Sequence, residues 1–305
     1  MRIGVDLGGH KIEAAAIARD GSVRARKRVA TPRDDYPATV AAVAALVDEV
    51  ARAAGADGPV GVAAPGAISP ATGLVKNANS TWLNGRALEA DLAAALGRPV
   101  KIANDADCFA LSEEVDGAGR GAGCVFGVIL GSGVGGGIVV DGRLVAGANA
   151  IAGEWGHNPL PWPRPEAGEL PGPACYCGRH GCIETFLSGP GLAADHAGAT
   201  GRALAPPAIA ADAAAGEAGA LATCARYRDR LARGLALVIN ILDPHVIVLG
   251  GGLSNVAPLY DGVPRLWGAY VFSDTVATRL VGNRHGDSSG VRGAAWLWPD
   301  PEAGQ

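Results

Sequence analysis

A repeated sequence pattern is the feature that most limits how this chain of 305 residues can fold. Residues 3–8 read Ile-Gly-Val-Asp-Leu-Gly and residues 126–131 read Phe-Gly-Val-Ile-Leu-Gly, so four of the six positions are identical. Each segment is followed by a glycine-rich turn, a β-rich run and an Asp-Gly turn, at Asp20-Gly21 and at Asp141-Gly142. Short apolar runs bounded by such turns predict β-strands. The repeat therefore predicts a duplicated β-β-β unit in an α/β chain.

The composition and charge of the chain exclude several classes of protein. A hydrophobic share of 49% leaves ample apolar surface for a core, and the 46 glycines lack the period of collagen. The net charge of -4 and the absence of a broad basic patch argue against a nucleic-acid partner. No apolar run is long enough to span a membrane, and Met1 leads straight into a strand pattern without a signal peptide. We therefore expect a cytoplasmic protein.

Glycine and proline mark where the predicted elements end. The spacing of apolar residues predicts helices over 37–54 and 88–96, closed by Gly55 and Gly97. Residues 159–173 contain six prolines and predict a loop.

Three glycine-rich turns, each after an apolar strand, indicate a ligand that carries phosphate. They lie at Gly8-Gly9, at residues 131–137 and at residues 250–252. Glycine has no Cβ, so backbone N–H groups in such turns can approach a phosphate closely. Asp6, at the end of the first strand, is placed to hold Mg²⁺. None of the turns has the spacing of a Walker loop or of a dinucleotide-binding fingerprint.

The pair Asn104-Asp105 follows a predicted strand over 100–103 and precedes a predicted helix over 106–115. Either residue could serve only as a helix N-cap. Alternatively, Asp105 is a carboxylate at the end of a strand, where α/β enzymes place their chemistry, and it accepts a proton from a hydroxyl. The residues alone leave both interpretations open.

A cluster of cysteines predicts a metal site. Cys175, Cys177 and Cys182 lie within eight residues, and His157 precedes them, which makes a closed set of three thiolates and one imidazole suited to structural zinc. His180 is a weaker candidate, because it lies inside the turn, and free buried cysteines are the alternative interpretation. Twelve of the 46 glycines lie in this knuckle and in the three turns, and we attribute the remainder to composition bias.

The chain resembles the ROK family (repressor, open reading frame, kinase) in seven motifs, which occur in the same order as in the family and cover nearly the whole chain. They are Asp6-x-Gly-Gly9, Pro65-Gly66, Asn104-Asp105, Gly131-Ser-Gly133-x-Gly-Gly136-Gly, Glu154-x-Gly156-His157, Cys175-x-Cys-Gly-x-x-Gly-Cys182-x-Glu184 and Gly250-Gly-Gly252. The resemblance implies the duplicated, ribonuclease H-like α/β fold of the actin/hexokinase/Hsp70 superfamily, with two lobes around a cleft. Residues 1–115 and 286–305 would form the small lobe. Residues 116–285 would form the large lobe, with the zinc knuckle and the surface for homodimerisation.

The resemblance also implies a role for each motif in an ATP-dependent sugar kinase. Asp105 would be the general base for the sugar hydroxyl that attacks the γ-phosphate, and Asp6 would hold the Mg²⁺. One nitrogen of His157 would bind the structural Zn²⁺ and the other would face the sugar. The residues implied at the sugar are Gly66, Asn79, Asn104, Asp105, Glu154, His157 and Glu184. The residues implied at the zinc are His157, Cys175, Cys177 and Cys182. The residues implied at the nucleotide are Gly4, Val5, Asp6, Leu7, Gly8, Gly9, His10, Lys11, Gly131, Ser132, Gly133, Val134, Gly135, Gly136, Gly137, Gly250, Gly251 and Gly252.

Three longer segments refine the resemblance to the bacterial fructokinases (mannofructokinases). They are residues 31–36, 76–85 and 154–161. They imply phosphorylation of D-fructose at O6, with mannose as a second substrate. The alternatives are an N-acetylglucosamine kinase or glucokinase of the same family, or a non-catalytic, sugar-responsive regulator. ROK repressors carry a helix-turn-helix ahead of the first strand, which begins here at residue 2, and His10 stands where the family pattern has threonine.

Overall fold

The computed structural model of this chain describes residues 1–299, which form two five-stranded sheets flanked by helices. The strands are β1 (Arg2–Leu7), β2 (Lys11–Ile17), β3 (Val23–Ala30), β4 (Val60–Ala64), β5 (Ala67–Ile68), β6 (Val75–Lys76), β7 (Val100–Asn104), β8 (Cys124–Leu130), β9 (Val134–Val140), β10 (Arg143–Leu144), β11 (Val246–Gly250) and β12 (Arg279–Gly282). The helices are α1 (Tyr36–Ala54), α2 (Leu88–Leu96), α3 (Asp105–Val115), α4 (Ile183–Leu187), α5 (Gly189–Thr200), α6 (Pro206–Ala214), α7 (Ala218–Leu242), α8 (Pro258–Gly262), α9 (Pro264–Trp267) and α10 (Ser289–Trp296).

The two sheets have matching strand orders, β3-β2-β1-β4-β7 and β10-β9-β8-β11-β12. In the first, β1 is antiparallel to β2 and parallel to β4. In the second, β8, which begins the second copy of the repeat, is parallel to β11, and β9 and β10 form an antiparallel hairpin. The orders correspond strand for strand, which confirms the duplication predicted from residues 3–8 and 126–131.

Local sequence signals account for the ends of the long surface helices. The side chain of Asp35 accepts a hydrogen bond from the backbone of Ala38 and caps α1. Gly55 and Gly97 end α1 and α2 in the left-handed conformation, each with φ of 62°. Both helices end at the residues predicted from the sequence.

Helix α10 packs unusually close to the elements around it, and glycines make this possible. A Cβ atom on Gly4 of β1 would overlap the carbonyl oxygen of Val291, and one on Gly61 of β4 would overlap the α10 backbone at Ala294. A Cβ on Gly293 of α10 itself would overlap the α3 backbone. These glycines therefore have a packing role. The attribution of Gly61 and Gly293 to composition bias was wrong, and the predicted nucleotide contact of Gly4 stays a prediction.

The chain divides into two compact units. The first comprises Met1–Gly121, Gly137–Ala152 and the residues from Arg284 onward; the second comprises Ala122–Gly136 and Gly153–Asn283. The sequence-based division kept all of 116–285 together, whereas residues 137–152 belong to the first unit. The physical reason is close packing within that unit, because a Cβ on Gly137 would lie 2.9 Å from the Cβ of Ala110 in α3.

In the second unit, the 25-residue helix α7 anchors the proline-rich loop through buried charges. Arg233, with no exposed surface, donates hydrogen bonds to Glu169 at 2.8 and 2.9 Å and to the carbonyl of Trp162 at 2.8 Å. Burial opposes the charge on Glu169, but hydrogen bonds from Arg233 and Arg230 outweigh it and lower the pKa of Glu169 to about 2. Within residues 1–299, no helix combines the length and apolar character that crossing a bilayer would need.

Candidate active site and metal centre

The glycine turn between β1 and β2 is held from the side by Thr31. The N–H of Gly8 donates to the carbonyl of Lys11 at 3.0 Å and closes the turn. The hydroxyl of Thr31 donates to the carbonyl of Gly8 at 2.7 Å, and its N–H donates to the carbonyl of His10 at 3.0 Å. Sequence reasoning did not single out Thr31, because its partners lie more than twenty residues earlier in the chain. The His10 side chain itself is exposed.

Asp6, immediately before this turn, has an unusual electrostatic environment. Burial is the main cause that raises its pKa to about 6, and the nearby carboxylates of Asp105 and Glu13 add to the effect. A Cβ on Gly290, in the first turn of α10, would lie 3.0 Å from a carboxylate oxygen of Asp6, so a side chain at this position would crowd the carboxylate. Neighbouring carboxylates repel one another and offer the oxygen ligands that Mg²⁺ prefers. The surroundings of Asp6 therefore fit the predicted Mg²⁺ site.

Asn104 and Asp105, at the junction of β7 and α3, do two different things. The Asn104 side chain caps the helix by accepting from Ala106 N–H at 2.8 Å, and its amide donates to the carbonyl of Gly66 at 3.0 Å. The N-cap interpretation therefore holds for Asn104. Asp105 accepts from the same N–H at 2.9 Å through Oδ1, and among residues 1–299 no hydrogen bond to its Oδ2 is found. Asp105 keeps solvent contact, yet the protein around it raises its pKa by desolvation.

The loop that carries Asn79 lies beside Gly66 in the same unit. Gly66 has φ of 75°, and a Cβ there would lie 2.7 Å from the backbone nitrogen of Ala78. The Asn84 side chain fixes Ala78 by pairing with both its N–H and its carbonyl at 2.9 Å. The exposed Asn79 thus lies in a loop that Asn84 holds in place, next to Gly66, whose carbonyl Asn104 contacts.

In the second unit, the glycine turn after β8 is bound to Glu184. The N–H of Val134 donates to Glu184 Oε2 at 2.8 Å, and a Cβ on Gly133 would lie 2.7 Å from the same oxygen. The carbonyl of Gly131 accepts from the N–H of Gly189, the first residue of α5, at 2.7 Å. The structure therefore joins a residue predicted at the sugar to a turn predicted at the phosphates.

The predicted glycine turn at residues 131–137 ends at residue 133, because residues 134–137 already belong to β9, and the glycines of this strand pack against Trp155. A Cβ on Gly136 would lie 2.7 Å from the indole, whose Nε1 donates to the carbonyl of Gly135 at 3.0 Å. The indole also meets the ring of Phe126 edge to face at 5.9 Å. Packing against Trp155 is therefore sufficient to require glycine at position 136, independently of the predicted nucleotide contact.

The third glycine turn, after β11, contains one glycine whose backbone conformation and packing exclude a side chain and one glycine that lies in open space. Gly251 has φ of 79°, and a Cβ there would lie 3.0 Å from the backbone nitrogen of Leu130. A Cβ on Gly252 would meet nothing within 4 Å. The turn therefore leaves room beside a short helix that begins at Gly252, in keeping with the predicted nucleotide contact.

The predicted metal ligands lie together. The ligand atoms of His157, Cys175, Cys177 and Cys182 are all within 4.8 Å of one another. Cys175 Sγ lies 3.6 Å from His157 Nδ1, and Cys177 Sγ lies 3.6 Å from Cys182 Sγ. Tetrahedral zinc with Zn–S bonds of about 2.3 Å would need sulfur atoms about 3.75 Å apart. The residues therefore fit a closed zinc site.

Backbone pairing brings His157 to the cysteines. An antiparallel bridge joins Pro159 to Cys182, and the N–H of Leu160 donates to the carbonyl of Gly181 at 2.9 Å. Gly178 and Gly181 have φ of 88° and 66°, so the knuckle can turn sharply.

Tyr176, which lies between two of the cysteines, is a candidate that sequence reasoning missed. Its hydroxyl lies 2.9 Å from His157 Nε2, and the two rings meet edge to face at 5.1 Å. Burial, and after it the carboxylate of Glu184, are the leading causes that raise the pKa of Tyr176 to about 12, and Glu154 contributes as well. The only available signal was its position inside the knuckle.

Comparison with known proteins gives two curated relatives that match almost end to end. An N-acetyl-D-glucosamine kinase of Erwinia tasmaniensis is 41% identical over 299 residues, which cover 97% of this chain and 99% of the relative. The N-acetylgalactosamine kinase AgaK of Shewanella is 38% identical over 304 residues, which cover 100% of this chain and 98% of the relative. These relatives do not support the predicted fructokinase subgroup. They favour the alternative prediction, an N-acetylglucosamine kinase.

Fold and family agree with the sequence motifs. A ROK hexokinase from Thermus thermophilus superposes with a TM-score of 0.84 at 30% identity, over 96% of each chain. This likeness confirms the predicted hexokinase-like α/β fold. The sequence pattern of the ROK family matches residues 2–301. With nearly the whole length matched in sequence and in fold, the chain belongs to the ROK family.

Proposed function

We propose that this chain transfers the γ-phosphate of MgATP to an N-acetylhexosamine, with N-acetylglucosamine as the first candidate. Membership of the ROK family, together with the kinase relatives, makes the chain an ATP-dependent sugar kinase; the proposal concerns its sugar. The observation that carries it is the identity of 38–41%, over nearly full length, to kinases that act on two N-acetylhexosamines. Fructose, which was predicted from the segments at residues 31–36, 76–85 and 154–161 alone, becomes the less favoured substrate.

In the first unit, Asp105 would act as the general base. Its Oδ1 accepts a hydrogen bond of 2.9 Å from the backbone N–H of Ala106, which restrains the side chain, and Oδ2 would take the proton of the substrate hydroxyl. A raised pKa makes the carboxylate a stronger base for the proton that the hydroxyl loses as its oxygen attacks phosphorus. Asn104, whose side-chain amide is held by hydrogen bonds to Gly66 and Ala106, would orient the same sugar together with Gly66 and Asn79.

Phosphate would be held mainly by backbone N–H groups. Gly9 and the remaining N–H groups of the segments at residues 131–137 and 250–252 would supply these groups. The N–H of Gly8 already donates to Lys11 and that of Val134 to Glu184, so these two residues would shape the turns instead. Asp6 would ligate Mg²⁺, which neutralises phosphate charge when bound. Phosphoryl transfer depends mostly on positioning and on charge neutralisation, so fixed N–H donors and one carboxylate suffice for this role.

In the second unit, Glu154, His157 and Glu184 would bind sugar hydroxyls. Zinc, held by His157 Nδ1 and the three thiolates, would fix the knuckle and the start of α4, and so the position of Glu184. A fully liganded zinc leaves no coordination site for substrate, so its role here would be structural. Homodimerisation remains a prediction from the family resemblance.

A panel of sugars tests the proposal. ADP release should be measured with N-acetylglucosamine, N-acetylgalactosamine, glucose, mannose and fructose at matched concentrations. The proposal predicts the highest kcat/KM for one of the two N-acetylhexosamines. No turnover with any of the five sugars, despite measurable sugar binding, would favour the sugar-responsive regulator instead.

The role of Asp105 has its own test. Asp105→Asn keeps the shape and the backbone hydrogen bond but cannot accept the proton. We expect kcat to fall by about a hundredfold or more while the calorimetric Kd for the sugar changes less than about threefold. A kcat within about threefold of the unmodified protein would rule out Asp105 as the base.

A further inference from the structure

The loop that carries Asn79 also contacts the glycine turn between β1 and β2. A Cβ atom on Gly9 of this turn would lie 3.2 Å from the hydroxyl oxygen of Ser80, the residue after Asn79. Both Gly9 and Ser80 belong to the first unit. The turn proposed to bind phosphate therefore meets a side chain from the loop that is predicted at the sugar.

The Ser80 side chain is buried, yet its hydroxyl has no hydrogen-bond partner within residues 1–299. The residue is only 4% exposed. Its side chain does not cap the short helix that begins at Thr81, and no other hydrogen bond to the hydroxyl is found. A buried hydroxyl without a partner costs the folded protein stability, because it has lost water and gained no bond in exchange. Beside a turn proposed to bind phosphate, such a group points to a ligand that supplies the missing partner.

A second hydroxyl at this turn, that of Thr31, is already engaged. It donates to the carbonyl of Gly8 at 2.7 Å, so it holds the turn rather than a ligand. The turn residues Gly8, Gly9 and His10 carry no hydroxyl of their own. Ser80 therefore supplies a hydroxyl that is free to donate to a ligand at the turn.

The backbone N–H of Gly9 lies close to this hydroxyl and has no partner in the described part of the chain either. Standard bond lengths place the Gly9 nitrogen within about 6 Å of Ser80 Oγ. Two donors at this separation can reach different oxygens of one phosphate, because a hydrogen bond to a charged oxygen is about 2.8 Å long. The Gly9 N–H and the Ser80 hydroxyl together therefore suit one phosphate group.

The position of Ser80 is fixed before any ligand binds. The N–H of Leu83 donates to the carbonyl of Ser80 at 3.0 Å, and the Leu83 side chain lies in the core. On the other side, the Asn84 side chain pairs with Ala78 at 2.9 Å. A donor held in this way needs little reorganisation when charge develops next to it.

We propose that Ser80 contacts the transferred phosphoryl group, and that its hydroxyl donates to an oxygen of the γ-phosphate at the Gly9 turn. The γ-phosphate is the part of ATP that must meet the sugar, and Ser80 comes from the loop predicted at the sugar. Asn79 and Ser80 would then bind the two reactants from adjacent positions. The proposal rests on the proposed function, because the phosphate role of the turn belongs to it.

The test compares Ser80→Ala with the unmodified protein in binding and in turnover. Calorimetry should measure the Kd values of the β,γ-imido analogue of ATP and of ADP, each with Mg²⁺, and the Kd of the preferred sugar without nucleotide. We expect the Kd of the analogue to rise about tenfold or more and kcat/KM for ATP to fall about ten- to a hundredfold, the range for loss of a hydrogen bond to a charged group. The Kd values of ADP and of the sugar should stay the same, because neither molecule carries a γ-phosphate. Tm should be unchanged or higher, because the variant removes a buried hydroxyl that has no partner.

Ser112→Ala is the matched control. Ser112 is fully buried and its hydroxyl also lacks a partner among the described residues, but it lies about two turns along α3 from Asp105. This variant should change none of the binding constants and leave kcat/KM as it is.

Three results in Ser80→Ala would overturn the proposal. The first is an unchanged Kd of the analogue together with an unchanged kcat/KM. The second is a weaker affinity for the sugar but not for the analogue, which would place the hydroxyl at the sugar. The third is an equal loss of affinity for ADP and for the analogue with a lower Tm, which would show a structural role. If the unmodified protein transfers phosphate to none of the five sugars, the proposed function fails instead, so the two failures are distinguishable.

Discussion

The carboxylate of Glu184 accepts a hydrogen bond of 2.8 Å from the backbone N–H of Val134. Glu184 lies in the first turn of α4, two residues after the metal ligand Cys182, whereas Val134 is the first residue of β9, directly after the glycine turn that follows β8. The contact therefore couples three features of the second unit that the sequence shows separately: the knuckle, a carboxylate predicted at the sugar and a turn predicted at the phosphates.

Gly133→Ala is expected to break this coupling. The new methyl group would lie 2.7 Å from Glu184 Oε2, closer than real contacts allow, and would displace the carboxylate. We expect the sugar KM to rise about tenfold or more, the effect of misplacing one charged hydrogen-bonding group. Gly198→Ala, in open space on α5, is the control and should leave KM unchanged. Unchanged sugar kinetics in Gly133→Ala would contradict the proposed coupling between Gly133, Glu184 and the sugar.

Asp6→Asn should stabilise the protein while it impairs catalysis. The folded-state pKa of Asp6 is raised from 3.8 to about 6, so the cost of ionising this group in the folded state is absent below about pH 3.8, grows as the pH rises from 3.8 to 6, and is fully present above about pH 6. Asparagine removes a cost of up to about 3 kcal/mol at neutral pH. Urea unfolding at pH 7.5 should show a higher free energy of unfolding, and turnover should fall. A destabilised variant would contradict this account of Asp6.

Acid should weaken the buried contact between Glu169 and Arg233. The pKa of Glu169 is lowered from 4.5 to about 2, so its stabilisation is fully present above about pH 4.5 and is lost as the pH falls towards 2. Glu169→Gln should cost about 3–5 kcal/mol at pH 7 and flatten the loss of stability over this range. Glu166→Gln, at an exposed position of the same loop, is the control. An equally steep acid transition in Glu169→Gln would exclude this group as its source.

Loss of one knuckle ligand should release zinc and lower thermal stability. Cys182→Ser leaves three of the four ligands, so we expect metal content to fall from about one ion per chain to a small fraction of that. Tm should drop by about 5 °C or more, since a structural metal contributes several kcal/mol to folding. Cys224→Ser, a half-buried thiol on α7, should retain the metal. Zinc-free unmodified protein with the same Tm would show that the cluster is not a zinc site.

Much of the architecture was predictable because it is encoded locally. The repeated segments at 3–8 and 126–131 predicted two equivalent sheets, and Gly55 and Gly97 predicted two helix ends. By contrast, the packing of Gly4 and Gly61 against α10 depends on a helix more than 200 residues away in sequence. No local pattern reports such a contact, so Gly61 looked like a composition bias and Gly4 was assigned only to the nucleotide.

The candidate site divides in a similar way. His157 and the three cysteines could be grouped from residue type and spacing, because metal ligands have a restricted chemistry. Tyr176 was not recognised as a neighbour of His157, since their contact depends on how the knuckle folds back onto that histidine. The subgroup was also not identified from the motifs: the relatives favour the alternative prediction, an N-acetylglucosamine kinase, over a fructokinase. Kinases of one family share the motifs that bind ATP and the common hydroxyls, so these motifs do not report the sugar.

Competition between two sugars tests the central claim most directly. Equal concentrations of N-acetylglucosamine and fructose, with limiting ATP and Mg²⁺, should be incubated with the protein, and the two sugar phosphates should be separated by mass. Their ratio equals the ratio of kcat/KM values and so reports discrimination in the transition state. The account predicts at least about a tenfold excess of N-acetylglucosamine phosphate. An equal or larger yield of fructose phosphate would contradict it.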